Sequence, residues 1–433
     1  MLDYHFITEN LEAVKKNIEN RFMKADADAV VRLFGRRTAL TTSLQNLQQK
    51  RNANAAAMKG KPDAAEKQRL IEEGKQLKDS IAEAESELSS VETELEAEAR
   101  RIPNMAHPDA PVGKEDNSNV EIKRIGKPSV FGFVPSDHVK LGQDLDVIDF
   151  DSGTKVSGTK FYYLKNEGVY LELALVRYAL DILQKKGFVP YITPDVAREE
   201  ILEGIGFNPR GDESNIYSLE GEGTCLVGTA EITLGGYYSN TIIPKEKLPF
   251  RMAGLSHCFR REAGAAGQFS KGLYRVHQFT KLEMFIFCVP EESEKFHEEL
   301  RAIEEEIFAG LDIPFRVIET CTGDLGAPAY RKWDLEAWMP GRASVPAPDG
   351  GDWGEVTSTS NCTDYQSRRL NIKYRDDDGK NKLVHTLNGT ALAVSRGIIA
   401  VLENFQQPDG SVKIPPALVP YCGFDVIKKK NPA

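Results

Sequence analysis

Two stripes of residues spaced alternately three and four apart constrain this chain more than any other feature. The first runs Val30, Leu33, Arg37, Leu40, Leu44, Leu47, Arg51, Asn54, Met58. The second runs Leu70, Gly74, Leu77, Ile81, Ala84, Leu88, Val91, Leu95. Such spacing lays one seam along a helix and requires a partner helix to cover it. Arg37, Arg51, Asn54 and Gly74 interrupt the seams. Between them Gly60-Lys61-Pro62-Asp63 breaks the helix with a turn. Residues 9 to 100 are therefore expected to be mostly helix, folded back as an antiparallel coiled-coil hairpin. Each limb spans roughly 35–45 Å at about 1.5 Å per residue.

The limbs differ in charge. From residue 30 to 58 the ionised side chains are Arg32, Arg36, Arg37, Lys50 and Arg51, whereas Glu72, Glu73, Glu83, Glu85, Glu87, Glu92, Glu94, Glu96 and Glu98 crowd the second limb. Pairing between the helices, which fixes their register, is one use for these charges. Contact of some cations with a phosphate backbone, helped by Lys59 and Lys61 at the tip, is another.

The heptads stop at Ile102-Pro103-Asn104, and Pro108, Pro111, Gly113 and the polar run Lys114 to Asn119 read as a linker. The expected domains are 1–110, a helical arm, and 111–433, a mixed helix-and-strand unit; a chain of 433 residues has room for both. The fold class is α+β. The formal net charge of -10 gives no global attraction to nucleic acid or to an anionic membrane, so any nucleic-acid contact must be a local basic patch. Met1 to Phe6 carries no basic segment ahead of an apolar run, and no apolar stretch is long enough to span a bilayer. A cytoplasmic protein without membrane association is expected. Cys225, Cys258, Cys288, Cys321, Cys362 and Cys422 are scattered with no CxxC pair, which fits reduced thiols and lends no support to a zinc site built from Cys225.

Four later segments carry chemistry. A helix through Leu173, Val176, Leu180 and Leu183 stops at Gly187 and is followed by a strand, Phe188 to Ile192, closed by Pro194. Val227-Gly228-Thr229-Ala230-Glu231 precedes a helical run, where a hydroxyl and a carboxylate ordinarily form a cap. Phe259-Arg260-Arg261-Glu262 leads into a loop, Ala263 to Gln268, with Lys271 and Arg275 beyond it. An alternating apolar return follows through Leu273, Tyr274, Val276, Phe279, Leu282, Met284 and Ile286. An Arg and a Glu two apart on a strand share a face, so Arg260 can grip an anion while Glu262 accepts from an amine. On the same alternation Arg261 points away. That is a nucleotide pocket on an antiparallel sheet, without a Walker loop. The fourth segment joins Glu355 to Asn361 with Thr386 to Arg396 and an apolar helix beyond. Glu355 and Ser358 can together hold a divalent ion on phosphate oxygens, whereas an Arg on such a helix is ordinarily a solvated cation.

Together, in this order, these segments resemble a class II aminoacyl-tRNA synthetase, and nearly the whole chain is similar to the seryl-tRNA synthetase family of bacterial and eukaryotic type. Gly187 to Pro194 resembles the first class motif. Phe259 to Gly264 with His277-Gln278-Phe279 resembles the second, and Asn388-Gly389-Thr390 through Arg396 to Glu403-Asn404 the third. Thr229-Ala230-Glu231 is similar to the family's serine-site signature. The resemblance implies a class II domain with a mainly antiparallel sheet flanked by helices. It implies ATP and Mg²⁺ as cofactors, L-serine and tRNA-Ser as substrates, tRNA-Sec as a further acceptor, and a homodimer with Gly187 to Pro194 near its interface. By the same resemblance Arg260, Glu355 and Arg396 are catalytic, and Arg260, Arg261, Glu262, Val276, Phe279, Glu355, Val356, Thr357, Ser358 and Arg396 bind ATP. Thr229, Ala230, Glu231, Arg260, Glu283, Asn388 and Thr390 bind serine, and Glu355 and Ser358 hold the metal. His277 is expected to be structural.

A synthetase-like enzyme that loads a carrier protein is the competing reading, but such relatives lack a long arm. A coiled-coil scaffold has no need of Arg260, Glu262, Glu355 and Arg396 together. Removing residues 30 to 100 should spare serine-dependent ATP–pyrophosphate exchange and abolish tRNA charging; loss of both activities would mean the arm is structural.

Overall fold

The structure is a computed structural model that describes residues 1–207, 215–263, 271–342 and 350–429. The chain divides into two compact units, Met1–Met105 and Ala106–Ala433. In the first, helices α1 (Tyr4–Glu9) and α2 (Leu11–Asn20) precede the long pair α3 (Ala27–Lys59) and α4 (Ala64–Arg101). Asp26 and Asp63 cap the long helices, their carboxylates accepting from Ala29 N and Glu66 N. At 33 and 38 residues the limbs are longer than the seams implied, about 50 and 57 Å, because each helix runs past its apolar stripe.

The seam positions are buried or half-buried with one exception, Arg51, which is exposed. Two interruptions answer each other across the hairpin. Asn54 Nδ2 donates to the Leu70 carbonyl at 3.1 Å and to Glu73 Oε2 at 3.2 Å. A side chain at Gly74 would meet Asn54 Oδ1 at 3.3 Å, so the glycine leaves the asparagine its place. Arg36–Glu87 (2.6 Å) and Arg37–Glu92 (2.9 Å) pair between the helices. At the base Leu2, Ile7, Val14, Ile18, Val30, Leu33, Val91, Leu95 and Ile102 form the unit's core. Where the heptads stop, the Asn104 carbonyl accepts from Asn17 Nδ2 (3.1 Å) and from the buried Arg21 Nη1 (2.6 Å).

The second unit is built on strands β1 (Val120–Ile125), β2 (Val189–Ile192), β3 (Phe250–Phe259), β4 (Gln278–Cys288), β5 (Phe315–Glu319), β6 (Arg331–Met339), β7 (Asp352–Thr363) and β8 (His385–Ala393). They form one sheet in the order β1-β5-β6-β7-β8-β4-β3-β2. Neighbours are antiparallel except β2, which lies parallel to β3 at the edge. Helices α5 (Glu167–Lys185), α6 (Ala230–Gly236), α7 (Ser293–Gly310) and α8 (Val394–Asn404) flank it. Alternation along β4 separates two cores. Leu282, Met284 and Ile286 pack with Leu175, Ile303 and Ile399, whereas Phe285 and Phe287 pack with Ile205, Leu234 and Tyr374.

Three register shifts interrupt the ladders around the sheet centre, at Leu335/Glu336, Leu282/Glu283 and Asn361/Thr363. Each inserts an extra residue that re-aims its neighbours. Among the described residues no helix is long and apolar enough to cross a membrane.

The arm's packing predicts a gradient. Leu95 is buried in the base core, whereas Leu44 is only half-buried along the seam. Leu95→Ala should cost about 2–5 kcal/mol in the helical unfolding transition. Leu44→Ala should cost about 1 kcal/mol or less; equal costs would contradict this packing.

Candidate active site

Strand β3 ends at Phe259, paired with Gln278 at the start of β4. Arg260 and Glu262 therefore do not share a face by strand alternation as expected. Both lie beyond the strand, and Glu262 takes a left-handed conformation, φ 50°. That turn still brings both side chains to one cavity. The apolar return is likewise not one strand, since Gly272–Tyr274 make a separate 3-10 turn. Residues 264–268 of the expected loop, including Gly264 of the second motif, lie outside the described residues.

His277 ties the hairpin together. Its carbonyl accepts from Arg260 N at 2.9 Å, and its Nδ1 lies 2.8 Å from the Arg260 carbonyl oxygen. The Arg260 guanidinium donates through Nε and Nη2 to the Gly228 carbonyl, 3.3 Å each, and lies 5.3 Å over the Phe279 ring. Glu262 Oε2 accepts from Arg275 Nη1 at 2.6 Å, while Lys271 pairs with Asp137.

The cavity encloses about 340 Å³. Thr229, Glu231, Arg260, Glu262, Val276, Phe279, Glu283, Glu355, Val356, Thr357, Ser358, Asn388, Thr390 and Arg396 all line it. The remaining two site residues expected from the sequence do not. Arg261 is exposed, with its backbone N–H donating to the Asn215 carbonyl at 2.9 Å, and Ala230 is buried in the first turn of α6.

One end of the cavity is acidic. Thr229 caps α6, its Oγ1 accepting from Glu231 N at 3.1 Å, so the cap and the delivery of Glu231 are one feature. Glu231 Oε1 accepts from Gln366 Nε2 (2.8 Å) and Asn388 Nδ2 (3.0 Å). Burial, with the Glu283 charge adding to it, pushes the Glu231 carboxyl up to about 7. Glu283 Oε2 lies 2.5 Å from Lys281 Nζ and accepts from Thr390 Oγ1 at 3.4 Å. The extra residue Ala391 sets Glu283 directly opposite Thr390.

The other end is held by Arg396, which is no solvated cation. Its Nη1 donates to the Glu355 carbonyl at 2.9 Å and pairs with Glu355 Oε1 at 3.1 Å, and the guanidinium stacks 4.6 Å from the Tyr274 ring. Burial would raise the Glu355 carboxyl, but Arg396, Lys332 and Arg260 outweigh it and hold the group below its ordinary value. Residues three apart on a regular strand face opposite ways. Across from β6, Glu336 pairs with Glu355 and Leu335 with Thr357, so Val356 is extra and both Glu355 and Ser358 reach the cavity. An ionised carboxylate and a hydroxyl are hard donors. They suit a divalent cation that takes its other ligands from phosphate oxygens and water. Among the described residues no group of three or more His, Cys, Asp or Glu could hold a metal by itself.

Sequence reasoning missed Lys281 and Tyr274 in the lining. Lys281 was legible, being two places before Glu283 on one strand and hence on its face. Tyr274 reads as core, and its use under Arg396 depends on the long-range fold. Gln366, from a segment without a motif, was invisible.

An antiparallel sheet that holds a nucleotide-sized polar cavity between two such arginines defines a class II aminoacyl-tRNA synthetase. Residues 217–405 match the family description "tRNA synthetase class II core domain (G, H, P, S and T)", and residues 1–106 match "Seryl-tRNA synthetase N-terminal domain". The chain is 70% identical over 427 residues to a serine–tRNA ligase of Treponema denticola, covering 99% of this chain and 100% of that protein. It is 55% identical over 432 residues to one of Borrelia garinii, covering 100% of each. A crystal structure of seryl-tRNA synthetase from Pyrococcus horikoshii complexed with ATP superposes with a TM-score of 0.91 at 40% identity, covering 100% of both chains. That of a cytoplasmic serine–tRNA ligase from Naegleria fowleri in complex with AMP gives 0.86 at 31%, covering 100% of this chain and 99% of that one. The chain belongs to the seryl-tRNA synthetase family.

The raised Glu231 pKa has a stability consequence. Its folded value of about 7 exceeds the ordinary 4.5, so its contribution to stability is fully present below that ordinary value and is lost as pH rises through about 7. Glu231→Gln mimics the neutral carboxyl. In urea unfolding of the ligand-free protein it should gain about 3 kcal/mol on wild type at pH 8 and about 0.5 kcal/mol or less at pH 4.5. A difference independent of pH would remove the assignment.

Proposed function

We propose that this chain is a serine–tRNA ligase, which activates L-serine with ATP and transfers the seryl group to the 3′ end of tRNA-Ser. The observation that carries the reading is a single cavity lined by Arg260 and Arg396 together with the half-buried Glu231 and the buried Glu283. A serine carboxylate oxygen attacks the α-phosphorus of ATP, and the bond from that phosphorus to the departing pyrophosphate breaks. A terminal ribose hydroxyl of the tRNA then attacks the seryl carbonyl and AMP leaves. The first nucleophile is already anionic at neutral pH, so alignment and stabilisation of phosphate charge replace a general base.

Arg260 grips the α-phosphate and the serine carboxylate with its planar fork. Glu262 accepts from the adenine amine, Phe279 stacks on the ring, Val276 offers a backbone contact, and Arg261 contributes backbone alone. Arg396 clamps the γ-phosphate, and Val356 and Thr357 belong to the strand beneath the nucleotide. Glu355 and Ser358 would hold Mg²⁺, which when bound would neutralise charge on the phosphates. Thr229, Ala230, Glu231, Glu283, Asn388 and Thr390 form the serine pocket. The relatives solved with ATP and AMP support the nucleotide reading.

The arm serves the tRNA, reading shape and backbone. Arg36 and Arg37 are engaged with glutamates, but Arg32, Lys50, Arg51, Lys59 and Lys61 are exposed and free for phosphates. tRNA-Sec is a further acceptor. A homodimer is supported by apolar side chains left uncovered on α5 and β2, among them Tyr170, Leu173, Val189 and Ile192 (87% exposed). The location is cytoplasmic. The arm and its family match weigh against an enzyme that loads a carrier protein.

The test is tRNA-Ser charging with pure serine, threonine and alanine side by side, where serine alone should be transferred efficiently. Glu283→Ala should narrow the serine-to-alanine ratio of kcat/KM by about ten- to a hundredfold, because the hydroxyl loses its buried partner. Unchanged discrimination would refute the role of Glu283, and absence of serine-dependent ATP–pyrophosphate exchange would refute the function.

A further inference from the structure

Lys281 is an unusual lining residue for a pocket that takes a small zwitterion. It sits on β4 between Thr280 and Leu282, with only 6% of its surface exposed, and still borders the cavity. Its ammonium is 2.5 Å from Glu283 Oε2, and Glu283 is 1% exposed. A buried pair of this kind can be purely architectural. Here, however, both members line the site, and Glu283 also accepts from Thr390.

Glu231 and Glu283, when ionised, carry two negative charges. Arg260 is matched by the carboxylate of the amino acid, which leaves Lys281 as the protein's counter-charge. The α-ammonium of the substrate supplies the second positive charge, and the account is neutral with a neutral side chain in place. Were Lys281 uncharged, one carboxylate would be left in low dielectric without a partner, and a substrate bearing a second ammonium would fill the vacancy.

We propose that Lys281 is a specificity-determining residue: by occupying Glu283 it reserves the side-chain subsite for a neutral hydroxyl and excludes amino acids with a cationic β-substituent. This deepens the serine-ligase reading and rests on it. The relevant competitor is L-2,3-diaminopropionate, which replaces the serine hydroxyl by an ammonium of the same heavy-atom count, so volume cannot reject it. Exclusion by an unfavourable like charge is a standard route to specificity.

The experiment is ATP–pyrophosphate exchange by the full-length protein at pH 7 with serine, alanine and L-2,3-diaminopropionate. Wild type should use diaminopropionate at least about tenfold less well than serine in kcat/KM. Lys281→Met should raise the diaminopropionate-to-serine ratio by about tenfold or more, Lys281→Arg should leave it near wild type, and Lys281→Met combined with Glu283→Gln should return it toward wild type. A Lys281→Met variant that loses activity equally toward both substrates would show a structural role and overturn the proposal. So would a wild type that accepts diaminopropionate as readily as serine, a measurement that needs no variant to fold. Lys281→Gln, checked by circular dichroism, repeats the ratio test with a polar replacement. Failure of wild type to show any serine-dependent exchange would strike the proposed function itself.

Discussion

The bond between Arg396 and Glu355 organises one end of the cavity. One guanidinium nitrogen reaches both the backbone carbonyl and the carboxylate of Glu355, at 2.9 and 3.1 Å. A residue in the first turn of α8 is thereby fixed against the middle of the sheet. That guanidinium also lies 4.6 Å from the Tyr274 ring, whose 3-10 turn is itself fastened to α8. Leu273 N donates to His138 Nε2 at 3.1 Å, and His138 Nδ1 lies 2.8 Å from Glu403 Oε1 on the same helix as Arg396. The second oxygen of Glu403 accepts from Gly341 N at 2.8 Å. Helix, turn and sheet form a closed circuit around one cation, so its position is set before any ligand arrives.

A second buried carboxyl supports the floor from beneath. Thr357 Oγ1 donates to Glu304 Oε2 at 2.9 Å, and burial raises Glu304 well above its ordinary value. A carboxyl shifted toward its neutral form there holds β7 in place with less negative charge beneath the cavity. The carboxylate that must stay ionised, Glu355, is the one flanked by cations. Environment has divided identical functional groups between structural and ligand-facing work.

Much of this was legible from local rules. Three-four spacing located the two limbs of the arm and their facing seams, though not the helix ends, because helix geometry turns sequence separation directly into a face. Even the flaws in the seams carried information, since Asn54 and Gly74 are complementary across the hairpin. What local rules left unexplained was whatever needed a non-local count. Glu355 and Ser358 reach one cavity only because Val356 is extra relative to β6, and Glu283 meets Thr390 only because Ala391 is extra relative to β4. A bulge is a property of two strands together, so a single run of residues does not announce it. Arg260 and Glu262 show the converse: both side chains line one cavity as expected, but a left-handed turn achieves it in place of strand alternation.

The histidines nearest these elements are engaged in structural contacts. His277 spends its backbone and its ring nitrogen on Arg260, and His297, stacked 4.1 Å from Trp333, is driven by burial to about 3 and so remains neutral. An acyl-phosphate anhydride made from a carboxylate needs no proton removed from its nucleophile. The demand falls instead on fixed positive charge where phosphate oxygens gather and on fixed acceptors where an ammonium must sit. Both demands are met by groups whose charge does not depend on a nearby base. A site of this kind is limited by how firmly its cations are held, which is why so much of the surrounding hydrogen bonding converges on Arg260 and Arg396.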